Sequence, residues 1–484
     1  MEEQTIQIKD LELIYSGKEI VIVPELNVYM NEKIGIIGEN GSGKTSLMKL
    51  IAHQLTPTKG TIQTSIDFQY YAQMDDVVEE SITDLDGALL SRFTVPTTDV
   101  QNLSGGEMTK YRLTQLLSTY QSGMLLDEPT THLDQRGKQQ LIEELRYYYG
   151  TLLFISHDRF FLNELAEKIW EIKDGKITEY KGNYDAYLQQ KEHEKNSQER
   201  AHQEYQKEMQ RLTKGIQEKK QKAEQAGKIS DKKKKQNVRP DRLSSSKQKD
   251  TVQKNLYKQA KTMTARLEQL KEVQGLERET SIKFPKHETA EIHNPYPLRI
   301  EKLTVTYDQK RILDEVDFQL PLGKKVAIVG SNGAGKSTLF QAILDGHSSI
   351  VLSPKVKIET YRQMDYQLSS QRSLLLELMT ETDWPESTVR SLLHHLGFSQ
   401  DEVLKPLSVL SGGEATRVAI AQLFTRPSNL LILDEPTNFI DLTTIQALET
   451  FLKEYTGTVL FTSHDPHFIE LADEVWELKD GKLV

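Results

Sequence analysis

Two glycine-rich loops, each entered by an apolar run and left by an amphipathic one, recur in this chain with a fixed retinue of further motifs. The first loop is Gly38-Glu39-Asn40-Gly41-Ser42-Gly43-Lys44-Thr45, and the second is Gly330-Ser331-Asn332-Gly333-Ala334-Gly335-Lys336-Ser337. Each is followed by a glutamine (Gln73, Gln363) and a Leu-Ser-Gly-Gly-Glu segment (Leu103 to Glu107, Leu410 to Glu414). An apolar run ending Asp-Glu-Pro-Thr (Asp127 to Thr130, Asp434 to Thr437) and a Ser-His-Asp (Ser156 to Asp158, Ser463 to Asp465) complete each set. Strand–Gly-rich loop–helix is a phosphate-binding device, because consecutive backbone N–H groups converge at a helix N-terminus and glycines let the backbone approach.

The copies keep register. Tyr15 and Tyr307, like Gly38 and Gly330, stand 292 residues apart, whereas Ser104 and Ser411, Asp127 and Asp434, and His157 and His464 stand 307 apart. The two glutamines are 290 apart, so the second half carries 17 additional residues between its glutamine and its Ser-Gly-Gly. Both halves close on the same pattern, Trp170 to Lys176 and Trp476 to Lys482. Short apolar strands alternating with helical stretches predict α/β domains with a largely parallel sheet. The expected division is a first ATPase domain over 1–184, a helical linker over 185–293 and a second ATPase domain over 294–484, with nothing beyond the second copy.

Charge sets the middle apart. Net charge is −10, yet 26 Lys or Arg face 14 Asp or Glu between Lys191 and Lys286. A basic arm on acidic domains suits a phosphate-rich partner, although a solvated helical linker reads the same way. Residues Asp185 to Ala226 lack proline and predict a long exposed helix. Val252, Leu256, Met263, Leu267, Leu270 and Val273 predict one face of a second, antiparallel helix. Gly227 to Asp250, with Lys232 to Lys235, Pro240 and Ser244 to Ser246, is expected to break helix and form a basic tip. No cysteine occurs, which excludes disulfides and thiol chemistry. No apolar run is long enough to span a membrane, and the start lacks secretory features, so a cytoplasmic protein is expected.

The motifs assign roles. Gly38, Asn40, Gly41, Gly43 and Lys44, with Gly330, Asn332, Gly333, Gly335 and Lys336, should cradle ATP phosphates. Thr45 and Ser337 should ligate Mg²⁺, with Ser46 and Thr338 beside them. Asp127 and Asp434 end buried strands and should reach the metal; Gln73 and Gln363 should touch the metal or the attacking water. Glu128 and Glu435 are the expected general bases, with His157 and His464 on the γ-phosphate. Tyr15 and Tyr307, each 29 residues before its lysine, suit stacking on adenine or a plain strand position.

Together these motifs resemble the ABC ATPases. The resemblance implies that Ser411, Gly412 and Gly413 complete the ATP site of Lys44, and that Ser104, Gly105 and Gly106 complete that of Lys336. ATP would then join the halves of a monomer that needs no obligate protein partner. Tandem ATPases with a long charged linker resemble the ABC-F subfamily, as do Asp127 to Asp134 and Tyr180 to Tyr187; the second half departs at Asn438-Phe439-Ile440-Asp441. Only 29 residues separate Gln73 from Leu103, leaving no room for an inserted arm, and the linker is long. Both features, with Arg239 to Ser244 at the tip, resemble the antibiotic-resistance branch, the Msr type before the Vga type.

That implies a protein of the bacterial ribosome. Lys232, Lys233, Lys234, Lys235, Arg239, Arg242, Leu243, Lys247 and Lys249 would meet ribosomal RNA or peptidyl tRNA and displace macrolides or streptogramins. A housekeeping translation factor, the ATPase subunit of an exporter and a DNA-bound repair ATPase are the competing readings.

Overall fold

The computed structural model describes residues 3–484 apart from 16, 73–84, 96–102, 104, 233–243, 271–291, 308–309, 362–369, 411 and 439, and apart from the side chains of 18, 226–250, 310 and 412. The chain begins with a long antiparallel hairpin, β1 (Gln4–Tyr15) and β2 (Lys18–Tyr29). Ile6 and Ile8 on β1 are buried, and so are Leu11 and Leu13, which lie on the opposite parity. A period of two cannot bury both pairs unless the strand is re-phased. Asp10 does this at φ 47°, where the register with the neighbouring strand shifts. The second half repeats the device: Lys302 at φ 51° separates Leu298 and Ile300 from Leu303.

Strands β3 (Lys33–Gly38), β4 (Lys59–Thr64), β5 (Phe68–Tyr71), β6 (Gly123–Asp127), β7 (Thr151–Ile155), β8 (Lys168–Lys173) and β9 (Lys176–Lys181) join the hairpin in one sheet, ordered β4-β1-β2-β9-β8-β3-β7-β6-β5. Its centre is parallel, β3 pairing with β7 and β8, and β6 with β5 and β7. Strands β6 and β7 are buried along their whole length, as continuous apolar runs covered on both faces should be. Helices α1 (Lys44–Ile51), α2 (Gly87–Phe93), α3 (Gly105–Leu117), α4 (Gln135–Arg146) and α5 (Arg159–Leu165) complete this half. Asp134 and Asp158 cap α4 and α5, accepting from Gly137 N and Phe161 N.

Two long helices follow, α6 (Tyr184–Lys232) and α7 (Ser244–Gln269). They run antiparallel: Arg266 lies 3.4 Å from Glu208, and Met263 lies over Gly215. At 1.5 Å per residue α6 is about 73 Å long. Helix thus reaches further into the expected tip than the sequence implied. One glycine, Gly227, costs only about 1 kcal/mol in a helix, and the Ser244 to Ser246 run begins α7 instead of interrupting it. Val252 lies on the expected face but is 53% exposed, and Ala260, at 2%, joins that face as a buried residue.

The second half has β10 (Leu298–Tyr307), β11 (Lys310–Leu320), β12 (Lys325–Val329), β13 (Ile350–Leu352), β14 (Ile358–Tyr361), β15 (Leu430–Leu433), β16 (Thr458–Thr462), β17 (Glu474–Lys479) and β18 (Lys482–Leu483). They form an antiparallel sheet, β11-β10-β13, and a mainly parallel one, β14-β15-β16-β12-β17-β18. Helices α8 (Lys336–Leu344), α9 (Leu374–Glu381), α10 (Glu386–His395), α11 (Gly412–Thr425), α12 (Leu442–Glu454) and α13 (Pro466–Ile469) accompany them. The additional residues of this half lie in the region of α9 and α10, whose Leu374, Leu378, Val389, Leu392 and Leu393 are buried. By contact, the chain forms two compact units, Met1–Tyr187 with Thr280–Val484, and Leu188–Glu279. Among the described residues no helix is long and apolar enough to cross a membrane.

Candidate ATP sites at the seam between the halves

Each phosphate loop turns from a buried strand into a helix through a glycine with left-handed backbone. Gly43 (φ 98°) precedes α1, and a Cβ there would fall 2.8 Å from Val21; Gly335 (φ 103°) precedes α8, with Ile312 at 2.9 Å. The loops wrap their own lysines. Lys44 Nζ donates to the carbonyls of Gly38 (2.8 Å) and Glu39 (2.9 Å). Lys336 Nζ donates to those of Gly330 (2.7 Å) and Ser331 (3.3 Å). Burial lowers both lysine pKa values. An ammonium beside a helix N-terminus is the electrostatic setting a polyphosphate requires. Asn40, Gly41, Asn332 and Gly333 form the exposed rims.

Thr45 and Ser337 are exposed at the helix starts, with Ser46 and Thr338 half-buried behind them. Thr45 Oγ1 donates to Asp127 Oδ2 at 2.8 Å, and Tyr70 OH donates to the same oxygen at 3.2 Å. Asp434 differs, accepting from Thr462 Oγ1 at 2.8 Å. Hydroxyl and carboxylate oxygens are hard donors that fit Mg²⁺. Among the described residues no group of three or more His, Cys, Asp or Glu side chains could hold a metal.

Glu128 and Glu435 follow these aspartates with left-handed backbone, φ 50° and 47°. Such a conformation costs a non-glycine residue about 1–3 kcal/mol and gathers at functional sites. Each glutamate faces a histidine: His157 Nε2 lies 3.3 Å from Glu128 Oε1, and His464 Nε2 lies 3.3 Å from Glu435 Oε1. Burial raises both glutamates to about 7 and depresses His157 to about 3 and His464 to about 4. Neutral imidazoles therefore stand beside carboxyls poised near neutrality, which suits a general base. His464 Nε2 also lies 3.2 Å from Lys336 Nζ and 3.1 Å from Asn332 Oδ1.

The halves meet at these loops. Asn40 N–H donates to Asp441 Oδ2 at 3.2 Å, while Asp441 Oδ1 accepts from Thr444 N at 2.8 Å and so caps α12. Burial works against the Asp441 carboxylate, but the bonds from Thr444 and Asn40 hold its pKa below the usual value. A Cβ on Gly413 would sit 3.0 Å from Asn40 Cβ, so Gly413 of the second half packs on the first phosphate loop. The mirror contact is made by Asn332 Nδ2, which donates to His132 O at 3.4 Å; a Cβ on Gly106 would lie 2.9 Å from that oxygen, and Gly105 lies beside the same histidine. Arg159 Nη1 donates to Glu449 Oε1 at 2.6 Å across the same seam. A cavity of about 60 Å³ between the sites is lined by Glu128, Lys138, His157, Thr437, His464 and Asp465, among others.

The structure thus gathers the lysines, Asp127, Asp434, the glutamates and the histidines around two loops. Tyr15 and Tyr307 end β1 and β10 with 75% and 73% exposure, available for stacking. Gly412 begins α11. Gln73, Gln363, Ser104 and Ser411 lie outside the described residues, as do Lys233, Lys234, Lys235, Arg239, Arg242 and Leu243. Lys232, Lys247 and Lys249 belong to the linker helices by backbone, with side chains outside the description. Motif reading passed over Tyr70, three residues before Gln73, and the cross-seam pair Arg159–Glu449, which has no local signature.

An ABC transporter family model matches residues 23–83 and 313–438, and a second model of the same description matches 170–251. Over 480 residues the chain is 42% identical to the erythromycin resistance ATP-binding protein MsrA of Staphylococcus epidermidis, covering 99% of this chain and 98% of that protein. It is 33% identical over 464 residues to the ribosome protection protein VmlR of Bacillus subtilis, covering 94% and 83%. Among solved structures, RNase-L inhibitor superposes with a TM-score of 0.64 at 19% identity, covering 98% of this chain and 90% of that one. The last likeness is one of fold.

Proposed function

The chain belongs to the ABC-F family of ATPases and stands with its Msr-type resistance proteins, and from that premise we propose that it protects the bacterial ribosome from antibiotics by an ATP-driven cycle. The observation that carries this reading is the 42% identity to an erythromycin resistance protein along 99% of the chain, linker included.

In the cycle, Lys44 and Lys336 bind the ATP phosphates. Thr45 with Asp127, and Ser337 with Asp434, would hold Mg²⁺ together with Gln73 and Gln363, and when bound it would supply charge neutralisation at the phosphates. Tyr15 and Tyr307 stack on the adenines. The Ser104 and Ser411 segments close each nucleotide from the opposite half, so ATP joins the halves within one monomer. Glu128 and Glu435 take a proton from the attacking water, aligned by His157 and His464, and hydrolysis lets the halves part.

The closed form occupies the exit-tRNA site. The basic linker tip, Lys232 to Lys249, meets ribosomal RNA and peptidyl tRNA near the peptidyl-transferase centre and dislodges a macrolide or streptogramin. Those contacts are electrostatic and weaken with salt. The test is drug susceptibility of a sensitive bacterial strain expressing the chain or its Glu128→Gln/Glu435→Gln variant. Protection by the first alone supports the reading, and the drugs countered define its class. No protection from a well-expressed wild-type chain overturns it in favour of a housekeeping translation factor.

A further inference from the structure

Arg159 opens α5 two residues beyond His157, and its side chain is 9% exposed. Arginine is rarely buried without a partner. Here the partner comes from the other half: Nη1 donates to Glu449 Oε1 at 2.6 Å, and the Glu449 side chain is 15% exposed. Glu449 lies on α12, whose capping residue, Asp441, takes the Asn40 N–H. Eight residues of helix, about 12 Å, separate cap from ion pair, so fixing one aims the other. One turn before Glu449, Gln446 Nε2 donates to Tyr184 OH at 3.5 Å. Tyr184 is 2% exposed and is the first residue of α6. A contiguous cluster, with Arg159 and Tyr184 buried and Gln446 at the surface, therefore joins the segment of His157, the helix that aims Asp441 and the root of a linker helix.

The duplication has kept this cluster on one side only. At the spacing of 307, Arg159 corresponds to Pro466 and Glu449 to Ile142, so neither charge exists beside the Lys336 site. That site has the longer cross-seam contact, Asn332 Nδ2 to His132 O at 3.4 Å.

We propose that Arg159 and Glu449 form a positioning pair for the Lys44 ATP site alone, locking α12 so that Asp441 meets the first phosphate loop and making the two ATP sites unequal in affinity. The inference rests on the composite-site reading above. Removing either member strands a buried charge, whereas removing both does not, so the two substitutions should couple.

The experiment measures phosphate release by the full chain at varied ATP, with Glu435→Gln leaving the Lys44 site active and Glu128→Gln leaving the Lys336 site active. Arg159→Met or Glu449→Gln should raise KM at the Lys44 site about fivefold or more beyond any rise at the Lys336 site, a size within the range of contact couplings. Arg159→Met with Glu449→Gln together should be less harmful than the product of the singles, and Arg159→Lys should recover most of the affinity. Should Arg159→Met fail to fold, Glu449→Gln and Glu449→Asp decide the same comparison between the two sites. Equal rises at both sites, or additive single effects, overturn the proposal. Wild-type turnover in the Glu128→Gln/Glu435→Gln variant overturns the assignment of the two bases and with it the proposed ATP-site chemistry on which the inference rests, a failure distinct from equal KM rises at the two sites.

Discussion

His157 Nε2 and Glu128 Oε1 stand 3.3 Å apart, and His464 Nε2 and Glu435 Oε1 repeat that distance in the other half. The partnership is not an ion pair at neutral pH, because burial keeps both imidazoles uncharged while it lifts both carboxyls to about 7. What the duplication preserves is a carboxyl poised near working pH, beside a neutral imidazole, on left-handed backbone.

If the glutamates are the bases, replacing them by glutamine removes proton transfer but leaves the phosphate loops intact. Glu128→Gln with Glu435→Gln should lower phosphate release by about 10²–10⁴-fold, the usual worth of general base catalysis. ATP binding, followed with a fluorescent analogue, should persist. Turnover within tenfold of wild type would remove both residues from that role.

The same four groups predict how stability depends on pH without nucleotide. A glutamate whose folded pKa is raised to about 7 stabilises the fold as pH falls from about 7 towards 4.5; a histidine depressed to about 3 or 4 destabilises it as pH falls below 6.5. Between pH 6.5 and 5 the two glutamate and two histidine contributions oppose and largely cancel. In Glu128→Gln/Glu435→Gln only the histidines remain. That variant should exceed the wild type in stability at pH 8 and lose the advantage on acidification, at up to about 1.4 kcal/mol per pH unit for each histidine. Urea unfolding at pH 8, 6.5 and 5.5 would show it; parallel curves for the two proteins would contradict the burial argument.

How far the sequence foretold this molecule depended on whether a feature was local. A Gly-rich loop between an apolar strand and a helix is written in eight consecutive residues, and the elements flanking Lys44 and Lys336 lie where that pattern put them. The bulges at Asp10 and Lys302 gave no warning, since neither residue is a glycine and only the burial pattern reveals the change of phase. In the linker the apolar period finds the face, with Leu256, Met263 and Leu267 half-buried on it, but it does not show that Val252 stays exposed or that the helices approach closely at the small residues Ala260 and Gly215. Contacts such as Arg159–Glu449, 290 residues apart, follow from the docking of the halves and carry no motif at all.

The small-residue contact in the linker can be tested directly. A Cβ on Gly215 would come within 2.3 Å of Met263 Cε, the far end of a flexible side chain. Gly215→Ala gains about 0.5–1 kcal/mol of helix propensity, and Met263 can swing aside, so thermal stability should hold or rise slightly. Gly215→Leu has no such escape and should separate α6 from α7, seen as faster amide hydrogen exchange around Leu212 and Ala260. Unchanged exchange in Gly215→Leu would show that this approach does not hold the pair together.

Asp441 and Asp134 provide the sharpest comparison between the two sides of the seam. Both cap a helix, accepting from Thr444 N at 2.8 Å and from Gly137 N at 2.9 Å, so alanine at either should cost about 1 kcal/mol of stability. Asp441 alone also accepts a backbone N–H from the opposite phosphate loop, at Asn40, whereas Asp134 is answered within its own half by Lys110 at 3.4 Å. Losing that bond leaves the Asn40 N–H without its carboxylate and frees the second half from the Lys44 site. Asp441→Ala should therefore weaken ATP affinity at the Lys44 site by about tenfold, the worth of a hydrogen bond to a charged group, beyond any change caused by Asp134→Ala. The affinities are read by ATP titration in the Glu128→Gln/Glu435→Gln background, where hydrolysis does not intervene. Equal losses from the two alanines would mean that Asp441 acts as a helix cap and nothing more.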